Sequence, residues 1–223
     1  MDTPLTTRAY NLGLKAVPNF VKVLGEEQIA YYEKHLDELP AAISRGFILP
    51  SAEPVVQVEK FALLVDLGII TVPKGYVHDT RLTMFSEKNK KKFYSYDDNI
   101  TDENFSHPTR ILKPGDKLHA RVFQQVVSGT TTSEERLAFL ATQKAIYTGA
   151  QGASLVFDQK RNQLPKGKWY SSFDKPDRLW EDADGNHRVP NVNAHSGGDF
   201  DFDLGNFENV WHDNLAFLCF SDE

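Results

Sequence analysis

Apolar residues recur at helical spacing in two places along the chain and alternate at strand spacing in several others. Ile29, Tyr32, Leu36 and Leu39 predict a helix over Glu26 to Leu39, with acidic residues in its first turn and Pro40 stopping it. Before it, residues 1–25 are weakly patterned, with Pro4, Gly13, Pro18 and Gly25 breaking any long element. After it, Phe47 to Pro54 carries Pro50 and Pro54 and reads as a connection. From Val55 the texture changes. Val55 to Val58 and Phe61 to Val72 are rich in β-branched and apolar residues, punctuated by Gly68 and the Pro73-Lys74-Gly75 turn. Residues 86–110 are polar and charged, which predicts a long loop or insertion. Lys113 to Asp116 reads as a turn into a strand over Leu118 to Val127, where Leu118, Ala120, Val122 and Gln124 alternate with their neighbours.

A second helix opens at Thr131 to Glu135. Thr132 and Glu135 have capping-box spacing, in which each side chain satisfies an orphan backbone N–H at the helix start. Leu137, Leu140, Ala141 and Lys144 continue one face. Gly149-Ala150-Gln151-Gly152 has a GxxG shape but lacks the Lys and hydroxyl of a phosphate-binding loop, so it reads as the end of the helical region. Ser154 to Phe157 and Lys168 to Phe173 then read as strands around a loop over Asn162 to Gly167, and Asp182 to Asn186 as a turn. The sum is an α+β protein of two helices and many short strands, β-rich in its C-terminal half. It divides into an N-terminal helical extension, 1–54, and a main domain, 55–223.

Composition narrows the function classes. The chain has 223 residues, 40 % hydrophobic content and a net charge of −6, which fits a globular fold and argues against nucleic-acid partners. The run Lys88-Asn89-Lys90-Lys91-Lys92 reads as a solvated basic loop. No signal-peptide core and no apolar run of membrane-span length is visible. The expectation is a soluble protein, cytoplasmic by default, with virion or cell-surface association as the alternative. Cys219, the single cysteine, sits in the apolar stretch Phe217 to Phe220 and reads as a small core residue. Trp169, Trp180 and Trp211 read as core anchors of one shared packing unit.

Candidate chemistry is sparse. Asp199, Asp201 and Asp203 lack the Gly and Glu that an EF-hand needs at its sixth and twelfth positions, where Leu204 and Val210 stand. Period-2 alternation explains them better, with Phe200, Phe202 and Leu204 on one face of a strand and the aspartates on the other. The histidines show no i, i+4 metal pair, and no G-x-S-x-G, GxGxxG or HExxH occurs. No metal, no cofactor and no enzymatic activity are expected. The alternatives are a metal-dependent hydrolase using the three aspartates with His187, His195 and His212, or a structural assembly component.

The most informative stretch is Val189 to Glu223. It contains seven acidic residues, no Lys, Arg, Gln or Met, and many Asn, Asp, His, Gly and aromatic residues. Asn191, Asn193, Ala194, His195, Asp201, Asp203, Asn206, Asn209, Val210, His212, Asn214, Leu215 and Ala216 stand between the large residues Phe200, Phe202, Leu204, Phe207, Trp211, Phe217, Leu218 and Phe220. This pattern resembles the variable proteins of diversity-generating retroelements. There, adenine-directed mutagenesis of an AAC asparagine codon yields NNC codons, which encode Asn, Asp, His, Ala, Val, Leu, Ser, Tyr, Gly and Arg but never Lys, Gln, Glu, Met or Trp. The positions from Asn191 to Ala216 named above obey that rule, whereas Glu208 and Trp211 cannot arise from NNC and fit a fixed scaffold. Arg, Tyr and Ser are scarce at the candidate positions, a departure from the composition that adaptable paratopes favour.

The resemblance implies a C-type-lectin-like fold over about 55–223, with a variable region near 189–217. It implies a non-enzymatic, hypervariable ligand-binding protein whose partner is a protein or surface glycan. The ligand-binding positions would be the variable ones, and Phe200, Phe202, Leu204, Phe207, Trp211 and Phe220 the scaffold. Oligomeric state is not legible.

Overall fold

The computed structural model describes residues 59–223 together with Ala30, Tyr31, Glu33, Lys34, His35 and Asp37. The chain divides into two compact units, Met1–Gln57 and Val58–Glu223. In the first, residues 30–31 and 33–34 are helical, and the Tyr31 and His35 rings stack with centroids 4.3 Å apart, an i, i+4 contact. The rest of the helix predicted over 26–39, the connection at 47–54 and the stretch 55–58 lie outside the described residues.

The second unit is mixed α+β, one eight-stranded sheet with three α-helices. In chain order these are β1 (Phe61–Thr71), α1 (Arg81–Asn89), β2 (Ser95–Tyr96), β3 (Lys117–Gln125), α2 (Ser133–Thr142) and α3 (Gly149–Lys160), followed by β4 (Lys168–Ser171), β5 (Trp180–Glu181), β6 (His187–Ala194), β7 (Phe200–Asn206) and β8 (Leu215–Asp222). The strand order is β1-β3-β8-β4-β6-β7-β2, with β5 paired to β6. The pairs β4–β8 and β2–β7 are parallel and the others antiparallel.

Period-2 alternation divides the sheet into two faces. Leu118, Ala120 and Val122 of β3, Leu218 and Phe220 of β8, and Phe202 of β7 pack in one core with Leu82 and Phe85 of α1 and Leu155, Val156 and Phe157 of α3. The other face carries Phe61, Phe123, Phe217 and Cys219 against Leu140 of α2 and Trp211. Strand β8 lies between β3 and β4 and is buried from Ala216 to Phe220, so its residues feed both cores alternately. Cys219 is wholly buried, as its apolar neighbours imply, and burial pushes its thiol pKa up. Among the described residues strand β1 ends the sheet, and two register shifts within it disturb that edge. Gly68 stands at one of these irregularities with φ +68°. The Gln159 side chain caps the same strand, accepting from Thr71 N at 3.2 Å and donating to Thr71 O at 2.9 Å.

Helix α2 starts where its capping box predicts: Thr132 Oγ1 accepts from Glu135 N at 3.3 Å, and Glu135 Oε2 from Thr132 N at 3.0 Å. The segment after it corrects the sequence reading. Gly149-Ala150-Gln151-Gly152 opens helix α3 instead of ending a helical region, and residues 154–157 are helical, not a strand. Every residue from Gly149 to Phe157 is buried, so α3 shows no polar stripe and its apolar run imitates a core strand. The glycine at 152 permits close packing: a Cβ there would lie 1.9 Å from Thr148 Oγ1 and 2.9 Å from the Phe220 ring.

Residues 86–110 are also more structured than predicted. Helix α1 runs through Asn89, a 3-10 turn covers Lys90–Lys92, and β2 follows. The N-terminus of α1 is capped from a distance, since Asp102 accepts from Leu82 N at 2.7 Å and Thr83 N at 2.9 Å. A cap borrowed from so far along the chain leaves no local signature. In the basic run the lysines are exposed, but Asn89 is fully buried and donates to Asp158 Oδ1 at 3.1 Å.

Candidate functional site

Strands β4, β6 and β7 present one face away from the main core. Their register decides which side chains meet there: Trp169 pairs with Asn193 and with Leu215, Asn191 with Asp203, and Asn193 with Asp201. Directly opposed residues share a face, so these residues form one surface. Part of it is a pocket of about 240 Å³ lined by Trp169, Asn191 and Asp203, by Leu204 to Asn206, by Asn209 to Trp211, and by Leu215.

Several devices hold the pocket's shape. Trp211 is 3 % exposed and donates its indole N–H to Ser133 Oγ at 2.7 Å, which in turn donates to Phe207 O at 2.5 Å. Arg136 of α2, wholly buried, lies 5.2 Å from the centroids of both Trp211 and Phe217. Its Nε donates to Thr131 Oγ1 at 3.1 Å and its Nη2 to His212 O at 3.4 Å. Burial lowers the Arg136 pKa to about 9. Thr131 and Trp211 also exchange backbone hydrogen bonds of 2.9 and 2.7 Å, tying the β7–β8 connection to the start of α2. Gly205 lets the floor close up, because a Cβ there would sit 2.6 Å from Asn191 Nδ2 and 3.2 Å from Trp211 Cη2.

The polar inventory is uneven. Asn191 Nδ2 donates to Val189 O at 3.1 Å, while its buried Oδ1 has no partner. Asp203 Oδ1 accepts from Leu204 N at 2.8 Å. Beside the pocket, His195 Nε2 lies 2.6 Å from Asp201 Oδ2, and Asn193 Nδ2 donates to the same oxygen at 3.2 Å. On the far side Arg188 joins Asp182 to Asn206, its Nε donating to Asp182 Oδ2 at 2.6 Å.

The thirteen candidate binding positions therefore fall into groups. Asn191, Asp203, Asn206, Asn209, Val210 and Leu215 line the pocket. Asn193, His195 and Asp201 form the adjacent hydrogen-bonded cluster. His212 and Asn214 are exposed on the β7–β8 connection. Ala194 and Ala216 correct the sequence reading: at 1 % and 0 % exposure they belong to the main core, because period 2 turns them to the same side as Val192 and Leu218. Asp201 sits on the expected face but is only 7 % exposed, closed over by His195 and Asn193.

Of the scaffold set, Phe202, Phe207, Trp211 and Phe220 are buried, and Phe200 and Leu204 are partly buried against the core. The tryptophans do not form one packing unit. Trp211 belongs to the α2-side core, Trp180 packs against the other, and Trp169 lines the pocket. Trp169 and Gly205 are the pocket residues that sequence reading missed. The signal for Trp169 was present, since its strand neighbour Tyr170 is apolar too, and adjacent strand residues face opposite sides.

His187 Nδ1 lies 2.7 Å from Glu208 Oε1, and His212 is exposed, so the three histidines enter separate surroundings. Among the described residues no group of three or more His, Cys, Asp or Glu side chains is placed to hold a metal ion. No helix among them is long and apolar enough to cross a membrane. No protein-family model matches the chain, and neither does any curated protein or solved structure.

Proposed function

We propose that this chain is a non-enzymatic ligand-binding display protein of the kind diversified by retroelements, with a C-type-lectin-like main domain and a replaceable C-terminal face. One observation carries the reading: six of the positions compatible with NNC codons, scattered over Asn191 to Leu215, line a single pocket. Their supports are of another kind. Trp211, Phe207 and Ser133 lock the connection from behind through buried hydrogen bonds, and Phe202 anchors β7 in the main core. The exposed side chains Asn209, Val210, His212 and Asn214 can then be exchanged without disturbing what holds the backbone, since exposed substitutions move stability by only about 0.5 kcal/mol either way. Ala194 and Ala216 are excluded from the replaceable set because they pack in the main core.

The partner in this reading is a protein or a surface glycan. The deciding experiment is to sequence the gene's 3′ end and its flanks. The expected result is a nearby imperfect repeat that differs from codons 191–215 only where the repeat carries adenines. If no such repeat and no adjacent reverse-transcriptase gene is found, retroelement diversification is wrong. A pooled library at Asp203, Asn206, Asn209 and His212 tests tolerance separately, with most folded members retained as the expected outcome.

A further inference from the structure

Resting on that reading, we propose that the ligand of this particular chain is basic: the pocket accepts a lysine or arginine side chain presented by a partner protein. Hydrogen-bonding capacity is the first argument. Asn191 lines the pocket and is 3 % exposed, and its buried Oδ1 has no partner among the described residues. Such a group carries a desolvation penalty until a donor reaches it. Asp203 stands directly across from it in the β6–β7 register and uses Oδ1 on the Leu204 amide, and Oδ2 accepts no hydrogen bond among the described residues.

Neighbouring donors are already engaged. The Trp211 indole N–H is held by Ser133, Arg188 by Asp182 and Asn206, and Lys168 Nζ donates to Asp213 O at 3.4 Å. An anionic ligand would meet the Asp203 carboxylate with no cation lining the pocket. A neutral sugar would leave the Asp203 carboxylate without a counter-charge.

A basic side chain fits all of these demands. Its ammonium or guanidinium supplies several donors in one group, and its alkyl stem has Trp169, Val210 and Leu215 to lie against. At about 240 Å³ the pocket is smaller than typical drug-sized sites and suits one long side chain. Asp203 is the one acidic residue lining the pocket and no Lys or Arg lines it, so the local charge favours such a partner. Specificity then resides in Asp203, one of the replaceable positions, so that sibling chains with other residues there would take other ligands.

The test is a titration of the full chain, followed by the indole ¹⁵N–¹H signals of its tryptophans. The probes are Nα-acetyl-lysine methylamide and Nα-acetyl-arginine methylamide, set against Nα-acetyl-glutamate methylamide and methyl glucoside. The expected result is saturable movement of the Trp169 signal with the basic probes only, with Kd on the order of millimolar. Asp203→Asn should weaken that binding about tenfold without lowering Tm, and Asp203→Lys should transfer the response to the glutamate probe. A wild-type response to the glucoside or glutamate probe alone overturns the basic-ligand assignment, as does no response to either basic probe. So does basic-probe binding that persists undiminished in Asp203→Asn. None of these results touches the display reading, which fails on the gene sequence or on the substitution library instead.

Discussion

Asp174 offers the sharpest quantitative prediction. It is 4 % exposed and lies against the first residue of α3, where a Cβ on Gly149 would fall 1.9 Å from its Oδ2. Burial pushes its pKa up to about 6, against the opposing pull of the Thr109 backbone N–H, which donates to Oδ1 at 2.8 Å. Because the folded-state pKa lies above the unfolded value of 3.8, the native protein holds this proton more tightly. Its contribution to stability is therefore fully present below about pH 4 and lost as pH rises through about 6, with no further change above. Two pKa units at 1.36 kcal/mol each set the loss near 3 kcal/mol. The N-terminal field of α3 favours the ionised carboxylate by up to about 2 kcal/mol, so the observable effect should fall between about 1 and 3. Asn in place of Asp keeps the shape and removes the titration. Urea unfolding of wild type and Asp174→Asn, monitored by tryptophan fluorescence between about pH 4 and pH 7, isolates the residue because other titrating groups cancel in the difference. The variant should gain on wild type as pH rises and then hold a constant lead. A difference independent of pH would refute the reasoning and mean that the helix field offsets burial completely.

Three further outcomes follow from the same geometry. Gly149 has φ +47° and no space for a Cβ, so Gly149→Ala should cost about 3 kcal/mol in urea unfolding; a loss below about 1 would mean that Asp174 swings aside freely. Trp211→Phe removes the indole bond to Ser133 and should cost about 1–1.5 kcal/mol, whereas Trp211→Ala should cost about 3–5; equal losses would contradict packing as the main term. Substitutions at exposed Asn209, His212 and Asn214 should move stability by no more than about 0.5 kcal/mol, while Ala194→Asp and Ala216→Asp should prevent folding, as judged by circular dichroism; the reverse ranking would invalidate the division into face and core.

Local chemistry was legible in the sequence. The Thr132–Glu135 capping box, the turn at 182–186 and the alternation of Phe200, Phe202 and Leu204 are short-range relations, and each is found where the sequence puts it. Helix α3 was not legible, because burial on all sides erases the period that distinguishes a helix from a core strand. Helix α1 escaped for a different reason: its capping carboxylate comes from Asp102.

For the candidate site, the sequence by itself determined which residues alternate and which residue types stand at each position. Only the tertiary structure decided what they do. Pairing β4 with both β6 and β8 brings Trp169 beside Asn193 and Leu215 and places it in the pocket, although its sequence context reads equally well as core. The same pairing buries Ala194 and Ala216, which are as compatible with NNC codons as the pocket-lining positions but lie on the other side of the sheet. A strand's period fixes two faces; which one meets a core depends on neighbours far away in the chain, and that is settled by packing.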